Sequence, residues 1–305
     1  MKTSSRAVLI AYLLIITLGC EVVTKVSGRS FHDKVGWKAD DYFSDPRVVE
    51  LCDAIETSNL KQMASLIHEG ADVNAIGKDG MTPLLWAFPE NNFERFELLL
   101  KHRADPTVHV QSDLGTRGFI HRNQTVAHLA AESQFPEHFI AIMKYGCDPN
   151  LVYEFDSGPL KYEKTLFHSI FDSFYLDKRS RCDAILMAGP SKETLTSGAR
   201  TIVDCSTEFG MALSLLKAGG DFRSYDRNRG KFVNYLADAE RKSINGFPKA
   251  RSEFLELVEW LKSQGENFDE ARKDLERWLE AGKINPSKMA ALRKSDIEKK
   301  IRMER

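Results

Sequence analysis

The chain has little cysteine, five residues in 305, and no two are spaced as Cys-x-x-Cys. That spacing argues against a zinc ribbon and against a dithiol redox motif. Charge of a dominant sign is missing too: 43 Lys and Arg face 44 Asp and Glu, for a formal charge of −1. Such a balance excludes the strongly basic surface that nucleic-acid binding calls for. No apolar run is long enough to span a bilayer, since the longest, Ala7 to Leu18, is short and is interrupted by Tyr12 and Thr17. A Gly-x-Ser-x-Gly elbow, a His-Glu-x-x-His pair, a Walker loop and a dinucleotide fingerprint are all absent from the sequence. We therefore expect no enzymatic activity, no cofactor and no metal. What remains, at 42% hydrophobic and 29% charged, is an ordinary globular composition, long enough for one large domain or a solenoid.

The first twenty residues stand apart. Lys2 and Arg6 precede the apolar run from Ala7 to Leu18, the layout of a secretory signal. Thr17-Leu18-Gly19-Cys20 resembles the lipobox of bacterial lipoproteins, with Thr17 where the family prefers Leu. The resemblance implies a signal peptide over 1–19, lipidation of Cys20 and an envelope or periplasmic location. Cleavage after Val26-Ser27-Gly28 is the alternative. Export would expose Cys52, Cys147, Cys182 and Cys205 to oxidation. Cys52 and Cys182 sit in apolar helical patterns and look like small core residues; one disulfide stays open.

From Asp45 onward the chain repeats itself. Helix ends recur at Gly70-Ala71-Asp72, Arg103-Ala104-Asp105, Gly146-Cys147-Asp148, Gly189-Pro190, Gly219-Gly220-Asp221 and Gly265-Glu266-Asn267. Helix starts recur in step, at Thr82-Pro83-Leu84, Thr125-Val126-Ala127, Thr165-Leu166-Phe167 and Lys231-Phe232-Val233. Threonine caps a helix start and a left-handed glycine ends one. Between them, segments such as Leu60 to Ile67, Phe93 to Leu100 and Met211 to Leu216 place apolar residues three and four apart, marking one buried helix face.

Gly70-Ala71-Asp72-Val73-Asn74-Ala75, followed by Asp79-Gly80-Met81-Thr82-Pro83-Leu84-Leu85-Trp86-Ala87, resembles the ankyrin repeat. The resemblance implies an all-α ankyrin-repeat solenoid of stacked helix-turn-helix units, five to six of them, with helices after the last. The expected layout is a linker over 20–44, repeats over 45–267, and a capping helix with a basic tail over 268–305. From Lys283 onward, eight Lys and Arg outnumber three acids, and a solvated tail helix is expected. Between Ser191 and Thr207 the pattern is weak, and Gly198 to Val203 offers only a rough helix start. His128 and His168 occupy the histidine place of the repeat, which implies a structural rather than an acid–base role. Trp86, one helix place on, is expected in the core.

The spacing from Ala71 to Ala104 is 33 residues, but from Ala104 to Cys147 and from Cys147 to Pro190 it is 43. Two units thus carry insertions of about ten residues. The first, about Pro106 to Arg122, contains Phe119, His121 and Arg122; the second, about Leu151 to Lys164, contains Tyr153, Phe155 and Tyr162. Phe222 to Arg229 adds a third loop with Arg223, Tyr225, Arg227 and Arg229, which suits an acidic surface. Aromatic and arginine side chains on loops are frequent interface anchors, so these ten residues are the candidate partner-binding set.

Ankyrin repeats imply a protein partner and a monomeric binding module, with no nucleic acid. Exported ankyrin proteins include immunity proteins that neutralise toxic effectors such as lipases, and others tied to oxidative-stress protection. A scaffold linking envelope proteins is a further reading, and an enzyme the remotest. If Cys20 carries the anchor, Cys20→Ser releases the protein from the membrane fraction, whereas continued sedimentation with membranes sinks the lipidation reading.

Overall fold

The computed structural model describes residues 30–114, 120–156, 161–173, 177–205, 207–225, 230–243 and 248–303. The expected signal peptide over 1–19, the lipidation candidate Cys20, and Phe119, Arg227 and Arg229 of the loops lie outside the described residues. The chain is mostly helical and divides into two units, up to Ala188 and from Gly189.

The first unit is a stack of helical hairpins. Short α1 (Phe31–Val35) and α2 (Ala39–Tyr42) precede α3 (Pro46–Glu56), α4 (Leu60–His68), α5 (Pro83–Ala87), α6 (Phe93–Lys101), α7 (Val126–Glu132) and α8 (Pro136–Lys144). Strands β1 (Val152–Asp156) and β2 (Lys161–Thr165) lead into α9 (Leu166–Asp172) and α10 (Arg179–Met187). One layer stacks α3 on α5 and α7 on α9; the other stacks α4, α6, α8 and α10 in turn.

The two layers start their helices differently. Inner helices are capped by threonine: Thr82, Thr125 and Thr165 accept from the backbone N–H three residues on, at 3.1, 3.4 and 3.3 Å. Outer helices α4 and α6 are capped by Asn59 and Asn92 in the same manner. Each cap satisfies one amide that a helix start leaves without a partner and contributes about 1 kcal/mol. At the first hairpin tip, Asp79 and Gly80 both have positive φ, 59° and 76°. A Cβ on Gly80 would stand 2.6 Å from the His109 carbonyl oxygen, so only glycine lets the next tip approach this closely.

Residues 20–44 were expected to be a linker, yet from residue 30 they are folded. His32, Trp37 and Phe43 are buried. His32 stacks on Trp86 with ring centroids 4.3 Å apart and its Nε2 meets the Trp86 carbonyl oxygen at 2.9 Å. Trp86 is wholly buried, and this aromatic lid gives the end of the stack a cover instead of water.

The second unit contains α11 (Lys192–Cys205), α12 (Phe209–Lys217), α13 (Phe232–Ser243), α14 (Pro248–Ser263), α15 (Phe268–Ile284) and α16 (Pro286–Met303). Here α11 packs on α12 and α13, α12 on α14, and α13 on α15. The weak stretch after Ser191 is a full helix that starts well before Gly198, its first turn held by Ser191 accepting from Thr194 N at 3.1 Å. The expected solvated tail is α16, and it packs against α15: Ile297 is buried, Trp278 donates to Asp296 at 2.7 Å, and Lys300 bridges Glu270 and Asp274.

Four histidines lie inside the first unit. Burial holds His32 and His168 below the usual imidazole range, and pushes His128 down to about 3 and His138 down to about 4. The folded state therefore refuses protons that the unfolded chain accepts near pH 6.5. Their contribution is whole above that value and is lost as pH falls toward 4 and 3. From His128 and His138 alone we expect a loss of roughly 4 kcal/mol at pH 5 relative to pH 7.5, visible as a falling midpoint in thermal melts; a flat midpoint over that range would contradict it.

Candidate functional site

The two insertions come together on one edge of the first unit. Among the described residues, three fingers run from an outer helix toward the next inner helix, over 72–80, 105–114 with 120–124, and 148–156 with 161–165. The fingers are tied in sequence. Asn74 donates to the Arg103 carbonyl and accepts from Asp105 N, at 2.9 and 2.7 Å, and Asn123 Nδ2 donates to the Glu154 carbonyl at 3.2 Å. His109 Nδ1 meets the Asn123 carbonyl oxygen at 2.7 Å.

The second insertion is not a loop. Its strands β1 and β2 pair antiparallel, with Tyr153 opposite Lys164 and Phe155 opposite Tyr162 on one face. Val152 opposite Thr165, Glu154 opposite Glu163 and Asp156 opposite Lys161 occupy the other. In the first insertion a bridge joins Leu114 and Ile120. The all-α class holds, with one two-stranded hairpin set within the helical stack among the described residues.

A buried lysine paired with two partly exposed carboxylates holds that hairpin down. Lys164 is 6% exposed, and its Nζ lies 2.6 Å from Glu132 Oε1 and 3.1 Å from Asp172 Oδ2. Burial alone would lower the Lys164 ammonium, but Glu132 overrides it and holds the group above the ordinary lysine range. The same carboxylate accepts from Ser169 Oγ at 3.0 Å and from Gln124 Nε2 at 3.2 Å. Gln124 in turn accepts from His121 N at 2.7 Å. One glutamate at the end of α7 therefore gathers the first insertion, the hairpin and α9.

The candidate residues divide accordingly. Tyr153 is 2% exposed, packed edge-on against His128 with centroids 4.6 Å apart, and burial pushes its hydroxyl up to about 12. It belongs to the interior, because period-two alternation turns it inward. Phe155 is half-buried, 5.3 Å from the Tyr162 ring, and Tyr162 is 40% exposed. His121 and Arg122 are exposed. In the second unit Arg223 is exposed, lies 4.3 Å from the Phe222 ring and donates to the Gln264 carbonyl; Lys231 sits over the half-buried Tyr225 ring. Ile76, 60% exposed on the first finger, lies in a stretch that reads as scaffold, and Val152, 37% exposed, lies in the second insertion beside the aromatic residues chosen as anchors.

The hairpin borders an open recess of about 490 Å³, with His109 and Asn123 on one side and residues 152–154 and 161–163 of the two strands on the other. Among the described residues, no group of three or more His, Cys, Asp or Glu could hold a metal ion. No helix among them is long and apolar enough to cross a membrane. Cys52, Cys147 and Cys182 are free and buried; burial pushes the last two up to about 12. The structural reading of the repeat histidines has a geometric basis, since His128 and His168 each place Nδ1 2.9 Å from the capping threonine hydroxyl.

The stacked hairpins, threonine caps and linked fingers agree with a match of residues 51–153 to the model of the ankyrin repeats, in three copies. Residues 51–153 are ankyrin repeats. An ankyrin repeat protein of Rickettsia bellii is 39% identical over 66 residues, which are 20% of this chain and 39% of that protein. The potassium channel AKT1 of rice is 43% identical over 54 residues, 18% of this chain and 6% of the channel. The chain thus spans well under half the length of these relatives. Among solved structures, a chain from the complex of a Bdellovibrio bacteriovorus predatory endopeptidase with an immunity protein aligns at a TM-score of 0.46 and 17% identity, covering 70% of this chain and 99% of that one. The human ASB11 ankyrin repeat domain aligns at 0.41 and 17%, covering 73% and 85%.

Within the ankyrin stack, Tyr153 and Tyr162 should separate cleanly. Tyr153→Ala is expected to cost about 3 kcal/mol of stability, and Lys164→Met about 2 kcal/mol by stranding Glu132. Tyr162→Ala should stay within about 0.5 kcal/mol. Chemical denaturation of the three variants measures this.

Proposed function

We propose that the chain is a non-catalytic protein-binding module whose finger edge holds the partner. The observation that carries this is the exposure of Ile76, Val152 and Tyr162 on a row of fingers tied to one another by Asn74 and Asn123. Large apolar and aromatic side chains held outward on a rigid frame are what interfaces use as anchors. Several groups whose protonation is strongly displaced argue in the same direction. His128, His138, Tyr153, Cys147 and Cys182 all lie in the interior, where no substrate reaches them.

In its finer form the proposal places the module in a bacterial envelope, anchored through Cys20, where it neutralises one toxic enzyme such as a lipase. The support is the signal-like start, the lipobox-like Thr17 to Cys20 and the enlargement of two repeats, which widens the surface for a single specific partner. Affinity capture from envelope extracts is expected to bring down one dominant stoichiometric protein. Tyr162→Ala should weaken that complex at least tenfold without moving the thermal midpoint. Many weak partners would favour an envelope scaffold, and capture unaffected by Tyr162→Ala would place the interface elsewhere.

A further inference from the structure

We infer that the finger edge fits a cationic protein surface, with a lysine or arginine of the partner seated between Glu154 and Glu163. The inference rests on the protein-binding reading above. The hairpin register sets these two glutamates directly opposite each other, at the separation where like charges destabilise a sheet. Both are exposed, and neither carboxylate makes a hydrogen bond or ion pair among the described residues. Lys161, on the same face, pairs with Asp156 at 2.5 Å and is reached by the Glu154 charge only through space. A lysine at either glutamate position would have stabilised the hairpin, so the conflict belongs to the surface rather than to the fold.

The recess supplies what a bare pair of carboxylates lacks. It has room for the stem of a long side chain, and Val152, 37% exposed, forms an apolar wall beside Glu154. Lysine and arginine pack such a stem on apolar surface while the charged head meets carboxylate. Charge over the whole unit agrees. Residues 30–188 hold 16 Lys and Arg against 24 Asp and Glu, whereas residues 189–305 hold 23 against 19. A net negative unit draws a positive partner surface toward its face and disfavours a negative one.

Calorimetric titration of the intact protein with a tri-arginine peptide tests this. Binding should weaken at least tenfold in the double variant Glu154→Gln/Glu163→Gln. In a charge-matched control, Glu50→Gln/Glu94→Gln, it should stay within twofold. The first variant without peptide should melt no lower than the parent, because it removes a repulsion. Equal weakening in the control, no binding by the parent, or a lower midpoint in the first variant overturns the inference. So does salt-sensitive self-association lost in that variant, which would assign the surface to a second copy of the chain. Partner capture separates the two readings. Loss in Tyr162→Ala with retention in Glu154→Gln/Glu163→Gln removes the cationic inference and leaves the binding function; retention in both removes the cationic inference and places the interface away from the finger edge.

Discussion

The contact between Lys164 and Glu132 is the constraint on which the finger edge depends. A two-stranded hairpin by itself is marginal in water, and this one is only five residues a side. What converts it into a fixed element is a charge pulled out of solvent and answered at 2.6 Å by the last residue of α7. A carboxylate at a helix C-terminus opposes the helix dipole; the buried ammonium offsets that penalty. Such a pair adds little net stability over apolar packing of the same volume, but losing one member is costly. Its consequence here is geometric: the hairpin has one seat, and Tyr153 is driven into it against His128.

A second constraint runs through the outer helices. Inner helices of five to seven residues leave most of their carbonyls without an intrahelical partner. The third residue of α6, Arg95, is fully buried and donates to the Ile55 and Ala87 carbonyl oxygens while pairing with Glu90 at 3.0 Å. The third residue of α10, Arg181, donates to the Ser133 and Asp177 carbonyls in the same way. Arginine's rigid fork suits this task better than lysine's single head. At the equivalent place in α8, His138 sits instead among Phe88, Phe93, Phe96 and Phe135. That substitution trades carbonyl pairing for aromatic contact and brings the acid sensitivity of a buried ring.

Most of the scaffold was legible in the chain because its signals are local. Thr82, Thr125 and Thr165 cap within three residues, and Gly70 and Gly146 end helices by their own backbone. The hairpin was not legible as such: Val152 to Asp156 alternates, but over five residues with Gly158 and Pro159 following, which reads equally as a polar loop. Tyr153 was therefore placed outside when the pleat turns it in. Arg95 and Arg181 were hidden for a related reason, since a charge on an apolar helix face counts as solvent-facing unless distant carbonyls are known to need it. Residues 30–44 carry no repeat pattern, and only the position of Trp86 explains why His32 and Trp37 are buried there.

The two faces of the hairpin have opposite energetics, and each accounts for the other. Inward, Tyr153 and Lys164 are packed, paired and expensive to change. Outward, Glu154 and Glu163 repel across the same two strands. A like-charge pair costs the sheet on the order of 0.2 to 1 kcal/mol, less than the roughly 2 kcal/mol expected for stranding Glu132 by loss of Lys164. The clamp on the inner face thus outweighs the conflict on the outer one. The strands stay paired while the carboxylates remain exposed, so recognition can vary on one side of the pleat without disturbing the fold on the other.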